Sequence, residues 1–308
     1  LLFVANEVGL FEHLAGNPAS LDELAQRIGV PGRTMRILAD AMVALGFVEN
    51  HSGQYHNSAV ALRFLSGRGN QDLRPLLRYL DRLNYSMWMK LEDAVRTGKP
   101  VFQDLKLTEE EQRIYSEGVE SFTAEAVNAL PDMYDFTSHH RLLDLGGGTG
   151  SFLTAVLGKA SRLEAVLFDR PQVAAVARRR IPQSIANRMT IVEGDFFTDP
   201  IPQGNDVIII ANVMHLLSPE HNLVLLRRLR QELRNPPTLL LIDFWTNPTH
   251  TEPLFATLMA GAFLLRTGEG DIYSEEEVRG WLQASGWCQI ERRPLGSRAS
   301  VIIAATSS

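Results

Sequence analysis

An apolar segment that runs directly into a glycine loop constrains this chain most: "HHRLLDLGGGTGSF", residues 139–152. A strand pattern stops there and a helical pattern begins, with glycines at the junction. The alternation then repeats. Apolar runs predict strands over 140–145, 163–169, 189–194, 206–211 and 238–244, and helical periodicity predicts helices over 150–159, 171–180, 219–234 and 274–285. Strands alternating with helices imply a parallel sheet with helices on both faces. The last two runs, 287–294 and 299–306, are separated by "LGSR" alone. A parallel crossover needs about a dozen residues, so these two are expected to pair antiparallel.

A sheet of this kind places its ligands outside the carboxyl ends of its strands. Gly146, Gly148 and Gly150 let the backbone approach a ligand, and the helix N-terminus that follows favours an anion. No G-x-x-x-x-G-K-[ST] motif is present, which excludes a nucleoside-triphosphate P-loop. The dinucleotide fingerprint, started at Gly146, meets Ser151 in its last slot. What remains is G-x-G-x-G behind Asp144. Asp169 closes the second strand in "AVLFDRP", where a carboxylate can accept two ribose hydroxyls. Asp195 closes the third in "VEGDFF", where it can accept an adenine amino group while Phe196 packs on the ring.

Residues 1–100 read differently. "SLDELAQRIG" carries Ser20 and Glu23 as a capping box and Gly29 as a stop. A second helix spans 31–46, and two short strands lie around Ser52-Gly53 within 47–58. Helix, turn, helix and wing make a winged-helix pattern. Eleven Lys/Arg against ten Asp/Glu in these hundred residues do not make the basic footprint of nucleic-acid binding. The second helix offers only Arg33 and Arg36, against Asp40, for base reading. Packing or dimerisation is the expected use of the wing. The chain is therefore divided into a winged-helix-like dimerisation domain, 1–100, and a ligand-binding domain, 101–308, with 101–137 a helical connector lining the substrate pocket.

The net charge of −6 and 45% hydrophobic content are those of an ordinary soluble protein. A single cysteine, Cys288, excludes an internal disulfide framework and a multi-cysteine zinc site and suits a reducing cytoplasm. No metal is expected. No run reaches the ~18 apolar residues of a membrane span. The chain opens on the amphipathic "LLFVANEVGLFEHLAG", without Met, and further residues are expected upstream.

The loop "LLDLGGGTG" with Asp144, Gly146 and Gly148 resembles the first motif of class I S-adenosylmethionine (SAM)-dependent methyltransferases. Asp169, and Asp195 with Phe196, fall where that family holds ribose and adenine. The antiparallel tail resembles its last two strands. "VLFDRPQVAAVA" and "VEGDFFTDPIPQGNDVIIIANVMHLLSPEHNLVLLRRL" extend the resemblance over nearly the whole chain. They point to small-molecule O-methyltransferases of the caffeate and acetylserotonin type, in which a winged-helix dimerisation domain precedes a Rossmann-like SAM domain.

The resemblance implies SAM as cofactor, a small-molecule acceptor with a phenolic or enolic hydroxyl, a homodimer and specialised metabolism. It makes His215, just past the fourth strand, the general base. The chemistry supports that need. A phenol with pKa near 10 is about 0.1% ionised at pH 7, a cost of ~4 kcal/mol. A base with pKa near 6.5 is mostly neutral there and can take the proton. Asp243 ends the fifth strand, roughly 5 Å from the end of the fourth if the two are neighbours, and can orient the imidazole.

Four positions depart from the family. Leu216 and Leu217 replace Asp-Trp after the base. Ile272 occupies the slot of a second orienting Glu, with Asp271 as the candidate substitute. Ala211 stands where plant members carry a Lys near the adenine, and Asn212 is the candidate cofactor contact beside it. The incomplete orienting set leaves a second reading open: a SAM-binding enzyme of this fold doing hydroxylation, decarboxylation or pericyclic chemistry. A winged-helix regulator that senses a small ligand is the third.

Large apolar residues supply a pocket for a planar acceptor. Phe122, Met133, Trp245, Met259 and Phe263 are the expected lining, with Trp88, Phe102 and Tyr115 as further candidates.

Overall fold

The computed structural model describes residues 1–69, 71–101 and 107–306. The chain forms two compact units, Leu1–Met89 with Lys106–Ala124, and Lys90–Leu105 with Glu125–Ser308.

In the first unit, Ser20 caps the helix Leu21–Ile28 through the capping box with Glu23, and Gly29 ends it at φ 76°. The helix Gly32–Ala44 follows. Strands β2 (Val48–His51) and β3 (Gln54–Asn57) form the hairpin. A two-residue strand β1 (Ala19–Ser20), not anticipated from the sequence, pairs with β3 on the side away from β2. Ser20 thus serves as both strand residue and helix cap, and so short a segment has no periodicity to read. Leu10, Phe11, Leu24, Met35, Leu38, Met42 and Tyr55 fill the core of this unit.

The second unit is built on β4 (Arg141–Leu145), β5 (Glu164–Asp169), β6 (Met189–Glu193), β7 (Val207–Ala211), β8 (Thr238–Asp243), β9 (Cys288–Leu295) and β10 (Ala299–Ala305). They form one seven-stranded sheet in the order β6-β5-β4-β7-β8-β10-β9. The first five run parallel, and β10 lies antiparallel between β8 and β9. The fold class is the expected one: a Rossmann-like parallel sheet with an antiparallel C-terminal pair, preceded by a mostly helical winged-helix region. The order of chain progression reverses at β4, whose two neighbours are β5 and β7. That crevice is where open α/β sheets bind ligands.

Side-chain alternation explains why these strands read as continuous apolar runs. On β7, Val207, Ile209 and Ala211 enter one core layer while Ile208 and Ile210 enter the other. The first layer is closed by Ala126, Val127 and Leu130 of the helix Glu109–Met133 and by Phe152, Leu153, Val156 and Leu157 of Ser151–Lys159. The second is closed by Leu225, Leu226 and Leu229 of Pro219–Glu232 and by Val278 and Leu282 of Glu275–Ala284.

Trp287 is the largest fully buried side chain in this second layer, and its indole N–H donates to Leu226 O at 3.0 Å. Truncating it leaves a cavity and removes that hydrogen bond together. Trp287→Ala is expected to destabilise the protein by about 3–5 kcal/mol, read from the midpoint of urea unfolding. A loss below about 1 kcal/mol would show that the two helices can close over the gap.

Candidate active site

The carboxyl ends of β4, β5, β7 and β8 carry the expected site residues. The glycine loop follows β4. Gly146, Gly148 and Gly150 all have left-handed backbones, at φ 77°, 58° and 81°. A Cβ on Gly146 would meet Val213 Cγ2 at 2.8 Å and Phe196 Cε1 at 3.8 Å, whereas Gly148 faces open space. Both strain and space therefore demand glycine at Gly146, while backbone conformation alone favours it at Gly148.

Asp144 alternates onto the face of Leu142 and is 1% exposed. Neither of its carboxylate oxygens has a hydrogen-bond partner among the described residues. Burial, with the charge of Asp169 nearby, pushes its pKa from 3.8 up to about 8. Asp169, at the end of β5, receives the Gly148 N–H on Oδ2 at 2.9 Å and the Arg170 N–H on Oδ1 at 2.7 Å. Burial raises its pKa too, and the two amide donors oppose that rise. An orphaned acid beneath a glycine cradle is chemically suited to a cationic group, and Asp169 keeps lone pairs for hydroxyl donors. The donor set fits the sulfonium- and ammonium-bearing cofactor expected from the sequence.

Asp195 Oδ1 accepts the Phe197 N–H at 2.7 Å, and Phe196 stands edge-on to Phe197 with ring centroids 4.9 Å apart. Arg228 clamps this turn, donating to Phe196 O at 2.7 Å and Asp199 O at 2.6 Å. No spacing rule in the sequence marked Arg228, since a basic residue in an amphipathic helix usually faces solvent.

Past β7, Asn212 turns left-handed at φ 55° while its N–H still pairs with Ile242 O at 2.9 Å. The chain then makes one turn of 3-10 helix, Met214–Leu216. His215 is 7% exposed and Asp243 1%. The imidazole Nδ1 lies 2.6 Å from Asp243 Oδ1, which also accepts the Phe244 N–H at 2.9 Å, and Asp243 Oδ2 accepts the His215 backbone N–H at 3.3 Å. A carboxylate that already accepts amide protons makes Nδ1 the donor of the ring and leaves Nε2 with its lone pair. Nε2 has no protein partner among the described residues. Phe263 crowds the imidazole at 4.1 Å between ring centroids, and Phe244 stacks at 6.2 Å.

Asp271 does not take the second orienting position. It is exposed, and its Oδ1 accepts the N–H of Ile272 at 2.7 Å.

The expected pocket residues separate. Phe263 lies against His215, and Met259 is half-buried on the same helix, Leu254–Arg266. Met133 is half-buried against the first core layer. Trp245 is 2% exposed, belongs to the second layer, and donates its indole N–H to Ser300 O at 3.1 Å. Phe122, Trp88 and Tyr115 belong to the first unit, and Phe102 lies outside the described residues.

This geometry is that of a Rossmann-like sheet with a glycine loop and two strand-end acids at its switch point and a carboxylate-backed histidine past β7. The O-methyltransferase domain family matches residues 88–288, and the O-methyltransferase dimerisation domain matches residues 1–67. The chain belongs to the O-methyltransferase family, whose members use SAM. It is 30% identical to the 3-hydroxy-5-methyl-1-naphthoate 3-O-methyltransferase of Streptomyces sahachiroi, over 94% of this chain and 86% of that protein. The fold superimposes on human N-acetylserotonin methyltransferase solved with SAM, with a TM-score of 0.88 at 23% identity, covering 100% of this chain and 93% of that one. PigF solved with S-adenosylhomocysteine, from a Serratia species, gives 0.85 at 25% identity over 99% and 95% of the two chains.

The raised pKa of Asp144 has a thermodynamic consequence. Between 3.8 and about 8 the folded protein holds a proton that the unfolded chain has lost, so stability falls as pH rises through that window. Asp144→Asn removes the ionisation. In the ligand-free protein it is expected to raise Tm more at about pH 8.5 than at about pH 5, while weakening SAM binding by calorimetry. Equal Tm changes at both pH values would contradict a neutral Asp144 in the free protein.

Proposed function

We propose that this protein methylates a phenolic or enolic hydroxyl of a small molecule in specialised metabolism, with SAM as donor and His215 as general base. The observation that carries the reading is the buried Asp243–His215 pair, 2.6 Å apart at the rim of the cofactor crevice, with Nε2 of the ring left unpaired. When bound there, SAM supplies an electrophilic methyl group. Residues fit to hold it are Asp144 and the backbone of Gly146 and Gly148, with Asp169 for ribose, Asp195 and Phe196 for adenine, and Asn212 beside them. Nε2 of His215 takes the acceptor's proton. Asp243 holds the Nδ1–H and offsets the positive charge that the ring gains. Phe263 and Phe244 line that position with apolar surface, which keeps water from competing for the base. Met259, one turn before Phe263 on the same helix, and half-buried Met133 complete the proposed acceptor-binding set.

The family relatives support the hydroxyl acceptor. One is named for a hydroxynaphthoate, and another is the tetracenomycin polyketide 8-O-methyltransferase of Streptomyces glaucescens. The dimerisation-domain match supports a homodimer through the first unit, as do the exposed Leu1, Val4, Leu45, Val60 and Met89. The single cysteine suits work in the cytoplasm. Among the described residues no helix is long and apolar enough to cross a membrane.

A panel of phenols and enols with methyl-labelled SAM tests the reading. His215→Ala is expected to lower kcat by about 10²–10⁴-fold on the best acceptor, with SAM affinity within about threefold of wild type by calorimetry. Undiminished methylation would sink the base assignment. Bound SAM alongside an altered but unmethylated product would favour the second reading, non-methylating chemistry on the same fold, which the withdrawal of Asp271 from His215 keeps in play.

A further inference from the structure

Among the described residues the family's second orienting acid has no counterpart at His215: Ile272 holds its slot, and Asp271 Oδ1 accepts the N–H of Ile272. The histidine also sits on a single turn of 3-10 helix, Met214–Leu216, which has no side-chain cap. One turn has little stability of its own. Among the described residues its backbone-to-backbone bonds are Leu216 N–H to Val213 O at 2.9 Å and Leu217 N–H to Met214 O at 3.2 Å, and its further N–H tie is that of His215 to Asp243 Oδ2 at 3.3 Å. Something outside the turn must fix it.

Two buried side chains from two different elements do so. Asn222, in the helix Pro219–Glu232, is fully buried and donates from Nδ2 to Met214 O at 2.9 Å and Leu217 O at 3.3 Å. Both acceptors are carbonyls, so the nitrogen must face them. Its Oδ1 has no partner. Asn222 shares its helix face with Leu225, Leu226 and Leu229, where an apolar side chain would avoid that unpaired oxygen. Tyr273, 3% exposed, comes from a different segment, and its phenol donates to the same Leu217 O. Burial pushes the phenol's pKa up, so it remains a donor at any working pH.

The segment leading to Tyr273 packs on the same turn. A Cβ on Gly270 would lie 2.3 Å from His215 O. Glu269 beside it holds His221 Nδ1 at 2.8 Å, which ties the segment to the first turn of the Asn222 helix.

We propose that Asn222 and Tyr273 are positioning residues for His215, gripping from two elements the carbonyls of the one-turn helix that carries it. They do for the backbone of the base what a second acid would do for its ring. With the turn clamped, Asp243 can hold both N–H groups of the histidine at once, and Nε2 keeps one direction. This rests on His215 being the base.

The test is a double-mutant cycle. Tyr273→Phe deletes one O–H and keeps the ring. It is expected to lower kcat about 10-fold in the wild-type background, with KM for SAM within about twofold, and to lower it no more than about twofold in the His215→Ala background. Equal losses in both backgrounds, or no loss in either, would overturn the proposal while leaving His215 as base. An unimpaired His215→Ala would remove the base reading and the proposal with it. Asn222→Leu reads the same cycle if Tyr273→Phe does not fold. A second readout needs no turnover. The ¹⁵N shifts of His215 are expected to show one tautomer, protonated at Nδ1, in the wild type, and a mixture of two in Tyr273→Phe and in Asn222→Leu. An unchanged spectrum in both variants would also count against the clamp.

Discussion

Ala211 lies opposite Ile242 in the parallel pairing of β7 with β8, and the N–H of Asn212 extends that pairing by one more bond to Ile242 O. From this register both chains leave the sheet at the same level. Asp243 is the last residue of β8, and three residues carry the other chain from Asn212 to His215. The left-handed backbone of Asn212 makes the change of direction without a glycine, as its short polar side chain permits. A slip of one residue in this pairing would turn Asp243 to the opposite face of the sheet. The two core layers forbid it, because Leu239 and Leu241 would exchange faces with Leu240 and Ile242. Packing far from the histidine therefore enforces its contact with the carboxylate.

A different compromise shapes the cofactor side. β4 delivers Asp144 into a setting where neither of its oxygens finds a donor among the described residues, at the foot of a loop in which Gly148 faces open space. A buried unpaired carboxylate weakens the fold and is retained where a ligand supplies the missing partner. Asp169 one strand away is better provided for, through the amides of Gly148 and Arg170. The two acids thus stand in different settings: Asp144 is without a donor among the described residues, and Asp169 is held by two amides.

Around His215 the protein favours apolar enclosure over polar reinforcement. Phe244 and Phe263 surround an imidazole bonded to one carboxylate, while the polar groups that secure its turn act on backbone carbonyls. Arg228 secures the Phe196–Asp199 turn by the same device, side chain to main chain. At His215 such bonds, from an amide and a neutral phenol, constrain the turn without placing a further charge beside the imidazole.

The sequence alone determined the alternation of strands and helices, the antiparallel tail, the glycine loop, the strand-end acids and the position of His215. These features are local: periodicity, capping residues and strand ends are written in consecutive residues. Strand β1 was invisible because two residues carry no period, and the one-turn helix under His215 because a 3-10 turn carries no amphipathic signature. Asn222 left a trace, a polar residue on an apolar helix face, but its partners lie five and eight residues back on another element. Only the tertiary structure decided that Asp243 meets Nδ1, that Asp271 turns away, that Trp245 belongs to the core, and that Asn222 and Tyr273 converge on one turn. Each of these is a contact between elements brought together by sheet order and layer packing, and chain order leaves such contacts unspecified until the core closes.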